Sequence, residues 1–173
     1  AATTETPSTA QVVYSDDALY IGLTYGEPNM DMIIAARTAH DSDVWEDDSF
    51  ELFINPDAYG MPYYHFVANT NGVTADSVYK MGEDADFSWN GDWQVKIAKK
   101  PDKWVVEIKI PYATVGATKP AKDNMWLCNF ARHDRSDEEK IRRGENFERI
   151  SSWGFRPRGQ LHDTLKFRPI WFK

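Results

Sequence analysis

The residues that suggest chemistry lie in one short stretch of the chain. Trp45 supplies a flat apolar ring among acidic neighbours, and Glu51 supplies a hydrogen-bond acceptor shortly after it. Phe50, Leu52 and Ile54 alternate around Glu51, which predicts a strand with an apolar face towards the core and a carboxylate on the second face. An apolar plate beside a fixed acceptor suits the binding of a pyranose ring.

Motifs for nucleotide, zinc-protease and thiol redox chemistry are absent from the sequence. It contains no G-x-G-x-x-G, no phosphate-binding loop, no H-E-x-x-H, no C-x-x-C and no EF-hand loop. The four histidines, His40, His65, His133 and His162, are too scattered for their spacing to predict a metal cluster or a catalytic triad. Each is therefore interpreted as a structural or surface residue.

Two glutamates are candidates for paired catalytic carboxylates. Glu51 and Glu107 each fall on the second face of a predicted strand, and a glycosidase needs two acids that face one bond. Pairing with Arg or Lys across a sheet is the more frequent role of such residues. We therefore predict that the chain is not an enzyme.

Acidic residues also cluster in predicted loops, where their oxygens could bind calcium. The clusters are Asp16 with Asp17, Asp41 with Asp43, Asp47 with Asp48, and Asp84 with Asp86. Turn formation and surface charge explain most such acids. A structural calcium ion and plain turns are both left open.

The seven tryptophans divide by their position in the strand pattern. Trp93, Trp104 and Trp126 fall on the apolar phase of their strands and are predicted core residues, and Trp171 belongs to the closing strand. Three others lie at strand ends or in loops, where a ring face can stay open to a ligand. These candidates are Trp45, Trp89 and Trp153.

The elements that position these side chains are short strands. About ten alternating segments are joined by turns, as at Asn71-Gly72 and Pro101-Asp102, without a sustained helical period. Met30 to Ala36 could form a strand or a helical turn, and we predict a strand. We predict an all-β fold, a two-sheet antiparallel β-sandwich of the immunoglobulin-like or jelly-roll-like kind with one or two short helical turns. Residues 1–9 are predicted as an N-terminal arm or linker and residues 10–173 as one domain.

Charge and composition restrict the partners. The net charge of −7 disfavours nucleic acid and anionic membranes, and no apolar run is long enough to insert into a membrane. Residues 1–100 are acidic overall and residues 101–173 are basic, which indicates either complementary halves of one fold or a site for an acidic ligand. Cys128 is the only cysteine, so no disulfide forms within the chain. The start lacks Met and an apolar signal core, as expected of a mature or excised domain.

The chain resembles the carbohydrate-binding modules of family 9, within the DOMON-like sandwiches, from about Ala10 onward. The matching segments are Leu19-Tyr20-Ile21, Trp45-Glu46-Asp47-Asp48-Ser49-Phe50-Glu51-Leu52-Phe53-Ile54, Asn69 with Asn71-Gly72, Trp104-Val105-Val106-Glu107-Ile108-Lys109-Ile110-Pro111, Asn129 with Arg132, and Ser152-Trp153.

The resemblance implies a non-catalytic module that binds a polysaccharide or oligosaccharide. Such a module is often covalently linked to a catalytic module of a secreted, periplasmic or cell-surface enzyme that degrades polysaccharides, and often holds structural calcium. It implies that Trp45 is the first of two sandwiching tryptophans, Glu51 a carboxylate that binds sugar hydroxyls, and Asn69 an amide in the same site. Val67 and Leu161 stand where the family type has an arginine and the second tryptophan.

Because those two residues are missing, the basic region is a candidate source of selectivity. Arg132 could bind a charged sugar through its two-pronged guanidinium, together with Arg135, Arg142, Arg143, Arg156 and Arg158. His65, on the strand face of Asn69, is a further candidate ligand residue.

Two alternatives to sugar binding are left open. The first is a haem-binding electron-transfer domain of the DOMON group, with His65 or His162 and one methionine as iron ligands. The candidate methionines are Met30, Met61 and Met81. The second is a structural or docking domain that has lost its ligand.

Overall fold

The computed structural model describes residues 7–145, 148–154 and 160–173, which contain ten strands. In chain order the strands are β1 (Ser8–Tyr14), β2 (Ala18–Gly26), β3 (Ser49–Asn55), β4 (Tyr63–Asn69), β5 (Thr74–Tyr79), β6 (Gln94–Lys100), β7 (Lys103–Pro111), β8 (Met125–Asp134), β9 (Arg149–Ser152) and β10 (Arg168–Trp171).

The strands form two antiparallel sheets. A four-stranded sheet has the order β1-β2-β7-β6, and a six-stranded sheet has the order β10-β8-β3-β4-β5, with β9 paired to β8. The hairpin at Asn71-Gly72 is present, and Gly72 adopts the positive φ of +81° that this turn requires. The predicted two-sheet β-sandwich is therefore confirmed.

The main core lies between the two sheets because both contribute one apolar face. Leu19, Ile21 and Leu23 of β2 pack with Trp104 of β7 against the six-stranded sheet, where Phe50 is fully buried. Each such side chain contributes roughly 1.5–3 kcal/mol of hydrophobic stabilisation. Trp104 and Trp126 are buried in this core and Trp93 packs against it, as predicted.

Short helical segments are more numerous than the one or two that were predicted. The described residues include α1 (Glu138–Arg142) and four 3-10 turns at Met30–Met32, Val44–Glu46, Tyr112–Val115 and Thr164–Lys166.

The strand predicted from Met30 to Ala36 is wrong. Its backbone amides do not enter a ladder because carboxylates satisfy them: Ile34 N donates to Asp48 Oδ2 at 2.8 Å and Ala36 N donates to Asp47 Oδ1 at 3.0 Å. These acids act as turn and loop formers.

The outer face of the six-stranded sheet is covered at both ends, so that β3 is buried on both faces. One end carries an apolar cluster of Phe53, Tyr63, Ala131, Leu161 and Phe167. The other end carries Val44, Val67 and Ala75, with Trp45 packed against them. Between the two clusters lies a strip of polar side chains that contains Glu51, His65 and His133.

β1 begins at Ser8, inside the predicted arm of residues 1–9, and residues 1–6 lie outside the described part.

The longest helical segment in the described chain has five residues, and none is long and apolar enough to cross a membrane.

Candidate functional site

Glu51 occupies the centre of the polar strip on the outer face. Strand pairing places it opposite Val67 of β4 and Ala131 of β8, two side chains too small and apolar to bind its oxygens. His65 and His133 supply the partners instead. His65 Nε2 donates to Glu51 Oε2 at 2.6 Å, and His133 Nε2 donates to Glu51 Oε1.

Glu51 is ionised in spite of its burial. It is 4% exposed, and although burial opposes ionisation, the charges and hydrogen bonds of His65 and His133 hold the pKa of Glu51 far below its usual range. Burial likewise lowers the pKa of His133, but Glu51 and Glu148 outweigh this and raise it. His133 donates from both nitrogens to carboxylates, which is the arrangement of an imidazolium.

The polar strip continues to the surface beside Trp45. His133 Nδ1 donates to Glu148 Oε1 at 2.9 Å, and Arg135 Nη2 donates to the same oxygen at 2.9 Å. Arg135 Nη2 also lies 3.4 Å from the carbonyl oxygen of Trp45. Alternating positive and negative groups thus connect the buried Glu51 to the backbone that presents the Trp45 ring.

A cavity of about 360 Å³ opens next to Trp45. Its walls are the rings of Trp45 and Phe87, the polar side chains of His65 and Ser77, and a rim that includes Asp41 and Asp43. Its further lining residues are Val67, Ala75 and Asp76. Two aromatic rings and several hydrogen-bonding groups therefore share one concave surface, and both Asp41 and Asp43 are exposed.

The structure changes the predicted role of Glu51. Trp45 lines the cavity as expected, but Glu51 lies behind His65 and both of its oxygens bind histidines. His65, a predicted ligand residue, is the side chain that faces the cavity. Glu51 therefore positions His65 rather than contacting a ligand in the cavity itself.

Asn69 does not lie open to a ligand. Its side chain is buried, and its amide donates to Arg37 O at 3.0 Å and Asp47 Oδ2 at 2.8 Å. Its Oδ1 accepts from Asn71 N and Val73 N, both at 3.0 Å. All of its hydrogen-bonding positions are engaged, so Asn69 fixes the turn after β4.

We expect Asn69→Ala to lower the free energy of unfolding by about 1–3 kcal/mol, because buried donors and acceptors of the turn would lose their partner. Urea denaturation measures this change. The exposed Asn90 offers a matched control, and Asn90→Ala should shift the midpoint little. An unaltered midpoint in Asn69→Ala combined with weakened sugar retention would restore Asn69 as a ligand residue.

Arg132 lies on the other face of the sheet from Glu51. It pairs with Phe50 in the β3–β8 register and is 3% exposed. Its guanidinium donates from Nη1 to Gly26 O and from Nη2 to Glu27 Oε2, each at 2.6 Å. Arg132 therefore forms a buried ion pair between the sheets and does not line the Trp45 cavity, although it does line the second cavity that also contains Trp153. Its predicted role in sugar selectivity stays a prediction.

Among the described residues of the basic region, Arg135, Arg142 and Arg143 do not line the Trp45 cavity. Arg142 and Arg143 lie at the end of α1 and just after it, while Arg156 and Arg158 lie outside the described residues.

The other two candidate tryptophans also lie away from this cavity. Trp89 packs its ring against Tyr64 and Phe66, whose side chains point to the space between the sheets. Trp153 is 43% exposed, contacts Phe130, and lines a separate cavity of about 400 Å³ between the edges of the two sheets. Neither ring shares a surface with Trp45.

Sequence patterns alone did not place Phe87, His133 or His162 at this site. Phe87 comes from the loop after β5, which the bridge between Val78 and Asp86 anchors. His133 follows the phase of Asn129 along β8, a signal that places it on the Glu51 face. His162 comes from the segment after β9, and no sequence signal indicates its position.

His162 stands above the outer face of β3 and β4. Its ring centroid lies 4.9 Å from that of Phe53 and 5.0 Å from that of His65. Although His162 is partly exposed, the packed rings around it reduce the solvation of its imidazole and, with the neighbouring His65, lower the pKa of His162 to about 4, so the ring is neutral at pH 7. The preceding Leu161, which stands in place of a second tryptophan, is buried in the Phe53 cluster.

The buried carboxylates do not fit a calcium ion well. Glu27, Asp48 and Asp134 bring oxygens within 4.8 Å of one another, but every carboxylate oxygen already accepts a hydrogen bond from a protein group. The guanidinium of Arg132 lies 2.6 Å from Glu27 and 3.8 Å from Asp134. A side-chain cation thus occupies this cluster, and calcium elsewhere in the chain stays a prediction.

The predicted haem ligands do not converge on the Trp45 cavity. Met30 packs against the core between the sheets, and Met81 is exposed. Met61 packs against the Phe53 cluster and is not part of the cavity wall. None of these three methionines lines the cavity with His65, so this geometry does not favour the haem alternative.

Comparison with known proteins places this architecture in a family. The model of the carbohydrate family 9 binding domain-like family matches residues 1–152. No curated protein matches the sequence.

Solved structures agree with the fold. A family 9 carbohydrate-binding module from Caldicellulosiruptor kristjanssonii, solved with glucose, is similar at a TM-score of 0.70 and 18% identity over 99% of this chain and 79% of that chain. The same organism's module with cellotriose is similar at a TM-score of 0.70 and 18% identity over 99% and 77% of the two chains. A candidate carbohydrate-binding protein from Bacteroides uniformis reaches 0.73 at 16% identity over 97% and 79%.

The strand order of the sandwich, the Trp45 to Ile54 segment that builds its outer face, and a family match over most of the sequence lead to one assignment: the chain belongs to the carbohydrate family 9 binding domain-like family.

Proposed function

We propose that this domain binds a neutral oligosaccharide or polysaccharide chain in the cavity beside Trp45 and does not cleave it. The observation that carries the proposal is the pair of aromatic rings, Trp45 and Phe87, on the walls of one cavity that also contains hydrogen-bonding side chains. Membership of a carbohydrate-binding family supports it.

The lining suits a sugar ring chemically. The C–H faces of a pyranose are apolar and pack against aromatic faces, while its edge is a row of hydroxyls. The carboxylates of Asp41 and Asp43 can accept hydrogen bonds from those hydroxyls, and Ser77 can donate or accept. His65 is held in place by Glu51, so it offers a fixed polar edge to the cavity.

The charge of the lining favours neutral sugars. Asp41 and Asp43 lie at the rim, and Arg132, proposed from the sequence as a ligand for acidic sugars, lies between the sheets. A uronate or a sulfated sugar would approach two carboxylates, and none of the described residues that line the cavity carries a guanidinium. Electrostatic repulsion therefore disfavours acidic glycans.

The arrangement does not provide the two acids of a glycosidase. Glu51 is ionised and bound to two histidines, so it cannot serve as a general acid at neutral pH. Glu107, the second candidate, is exposed on the four-stranded sheet, opposite Lys96. The two carboxylates belong to different sheets and cannot face one glycosidic bond.

The ligand class is tested with a glycan array followed by calorimetry. Glucose and cellotriose are the first ligands to try, because they occupy the similar modules of Caldicellulosiruptor kristjanssonii. Binding to neutral glycans with little binding to uronates or sulfated glycans is the expected result. An array without any bound glycan would favour the alternative of a docking domain that has lost its ligand.

Phe87→Ala should weaken sugar binding about tenfold, a loss of about 1.4 kcal/mol, because the cavity would lose one of its two aromatic walls. Phe87 is 57% exposed, so the substitution should leave the fold unchanged. Tyr59→Ala is the matched control, since Tyr59 is an exposed aromatic residue outside the cavity wall. Equal affinities of the two variants by calorimetry would remove Phe87 from the site.

The proposal extends to the setting of the domain. Family membership supports a secreted, periplasmic or cell-surface protein in which this domain is linked to a catalytic module that degrades polysaccharides. In such a protein the sugar-binding cavity would keep the enzyme near its substrate. Deleting the domain from the full-length protein should then reduce activity on insoluble polysaccharide more than activity on soluble oligosaccharides.

A further inference from the structure

We propose that Glu51, His65 and His162 form a binding site for a divalent transition-metal ion, with Zn²⁺ as the ion of choice. Each of these residues offers one ligand atom, and the three atoms lie within 4.8 Å of one another. Imidazole nitrogens and a carboxylate oxygen are common zinc ligands, and three protein ligands leave a fourth position for water or a ligand hydroxyl. The site lies next to the sugar cavity, because His65 belongs to both.

The second nitrogen of each ligand histidine already has an oxygen partner. His65 Nδ1 lies 3.5 Å from Ser77 Oγ, and His162 Nδ1 lies 3.0 Å from the hydroxyl of Tyr63. Metal-binding histidines usually donate their other N–H to an oxygen, which fixes the tautomer and the ring orientation. Ser77 and Tyr63 therefore leave the Nε2 atoms of His65 and His162 as the metal-binding nitrogens.

Glu51 is held in the matching way by His133. Its Oε1 accepts from His133 Nε2, and His133 is in turn bound to Glu148 at 2.9 Å. The remaining oxygen, Oε2, faces His65 Nε2 at 2.6 Å. The bond to His133 thus orients the carboxylate through Oε1, and Oε2 can serve as a single ligand atom for the metal.

Packing restricts the third ligand. The His162 ring lies edge-on to Phe53, with centroids 4.9 Å apart, and its centroid is also 4.9 Å from that of Tyr79. The His65 ring stacks on Phe53 with an interplanar angle of 6°. Aromatic neighbours therefore set both imidazole planes before any ion binds, as a preorganised site requires.

Zinc binding requires small movements and the release of one proton. Ligand atoms of a tetrahedral zinc ion lie roughly 3.3 Å apart, given bond lengths of about 2.0 Å. The distance between Glu51 Oε2 and His65 Nε2 must therefore increase by less than about 1 Å, and His162 must move closer to both atoms. Nε2 of His65 gives up its proton when the ion binds, and the N–H that remains on Nδ1 donates to Ser77 Oγ, so both nitrogens of the ring remain engaged.

Zn²⁺ titration of the chelator-treated, dialysed protein tests the proposal by calorimetry. We expect one Zn²⁺ per chain with a micromolar or lower Kd, and at least about 100-fold weaker binding in His162→Ala, which removes a ligand. His40→Ala is the matched control, because His40 is also exposed but binds Thr74 and Asn90 outside this site. Its zinc affinity should equal that of the original chain.

A second measurement does not depend on any variant folding. Nitrogen NMR of the histidine rings should show that Zn²⁺ occupies Nε2 of His65 and of His162. No zinc binding, zinc signals confined to other residues, or equal affinities of His162→Ala and His40→Ala would each overturn the proposal.

The zinc proposal and the sugar proposal can be tested separately, and either one can be wrong without affecting the other. Zinc is titrated in the absence of sugar, so its failure would leave the Trp45 cavity as proposed. Conversely, Trp45→Ala removes a wall of the sugar cavity without touching a proposed metal ligand. This variant should therefore bind Zn²⁺ as the original chain does.

Discussion

Trp45→Ala is expected to abolish retention of the domain on a neutral glucan affinity gel while leaving the fold intact. The ring lines the cavity beside Phe87 and His65, and its removal takes away the larger aromatic wall. Central aromatic residues of a binding site cost roughly 2 kcal/mol or more when they are truncated, which corresponds to about 25-fold or greater loss of affinity. A loss of this size removes gel retention for a module of ordinary affinity.

The fold should tolerate the change because Trp45 is only partly buried. It packs on the edge of the Val44, Val67 and Ala75 cluster, and its backbone oxygen keeps its contact with Arg135. Trp153→Ala provides the control, since that ring is exposed at a different cavity. Circular dichroism should be unchanged in both variants, and gel retention should be lost only in Trp45→Ala. Equal retention of the two would mean that sugar binds elsewhere.

The sandwich itself could be predicted from alternation and turns. Strands with a period of two place Leu19, Ile21 and Leu23 on one face without any knowledge of their partners, and Asn71-Gly72 marks a hairpin directly. Segments such as Met30 to Ala36 could not be assigned in this way. Their backbone is satisfied by the carboxylates of Asp47 and Asp48, which are distant in sequence.

The histidine cluster could not be predicted, because it depends on strand order. Glu51 meets His65 across the β3–β4 pair and His133 across the β3–β8 pair, and spacing in the sequence does not reveal that β8 lies beside β3. The same limit applies to Phe87 and His162, which irregular segments bring to the outer face. Local rules predict faces of strands, but they do not predict which strands are neighbours.

The case of Arg132 differs, because the sequence does predict the sheet face on which it lies. Trp126, Cys128 and Phe130 precede it at steps of two, so alternation places Arg132 on the same interior face. Arginine is rarely buried unless it is paired, and the partner, Glu27, lies at the end of a different strand. Residue type therefore suggested a surface ligand where strand phase indicated an interior ion pair.

Arg132→Ala should consequently act on stability rather than on sugar selectivity. Glu27 is 2% exposed, and loss of the guanidinium would leave its charge buried with Ser136 and a backbone amide as its remaining partners. Removal of one partner of a buried ion pair costs about 3–5 kcal/mol. Urea denaturation should therefore show a large fall in the midpoint, or the variant should fail to accumulate as folded protein.

The pair can be separated from general damage by a second substitution at Glu27. In Arg132→Met with Glu27→Gln no charge is left unpaired, so the double variant should recover much of the stability that Arg132→Ala loses. Arg149→Ala is the matched control: Arg149 binds Asp134 but its side chain is 43% exposed, and its loss should cost about 0–1 kcal/mol. An Arg132→Ala protein with an unchanged urea midpoint and impaired binding of acidic glycans would instead return Arg132 to the binding site, since only a residue reached by ligand could produce that combination.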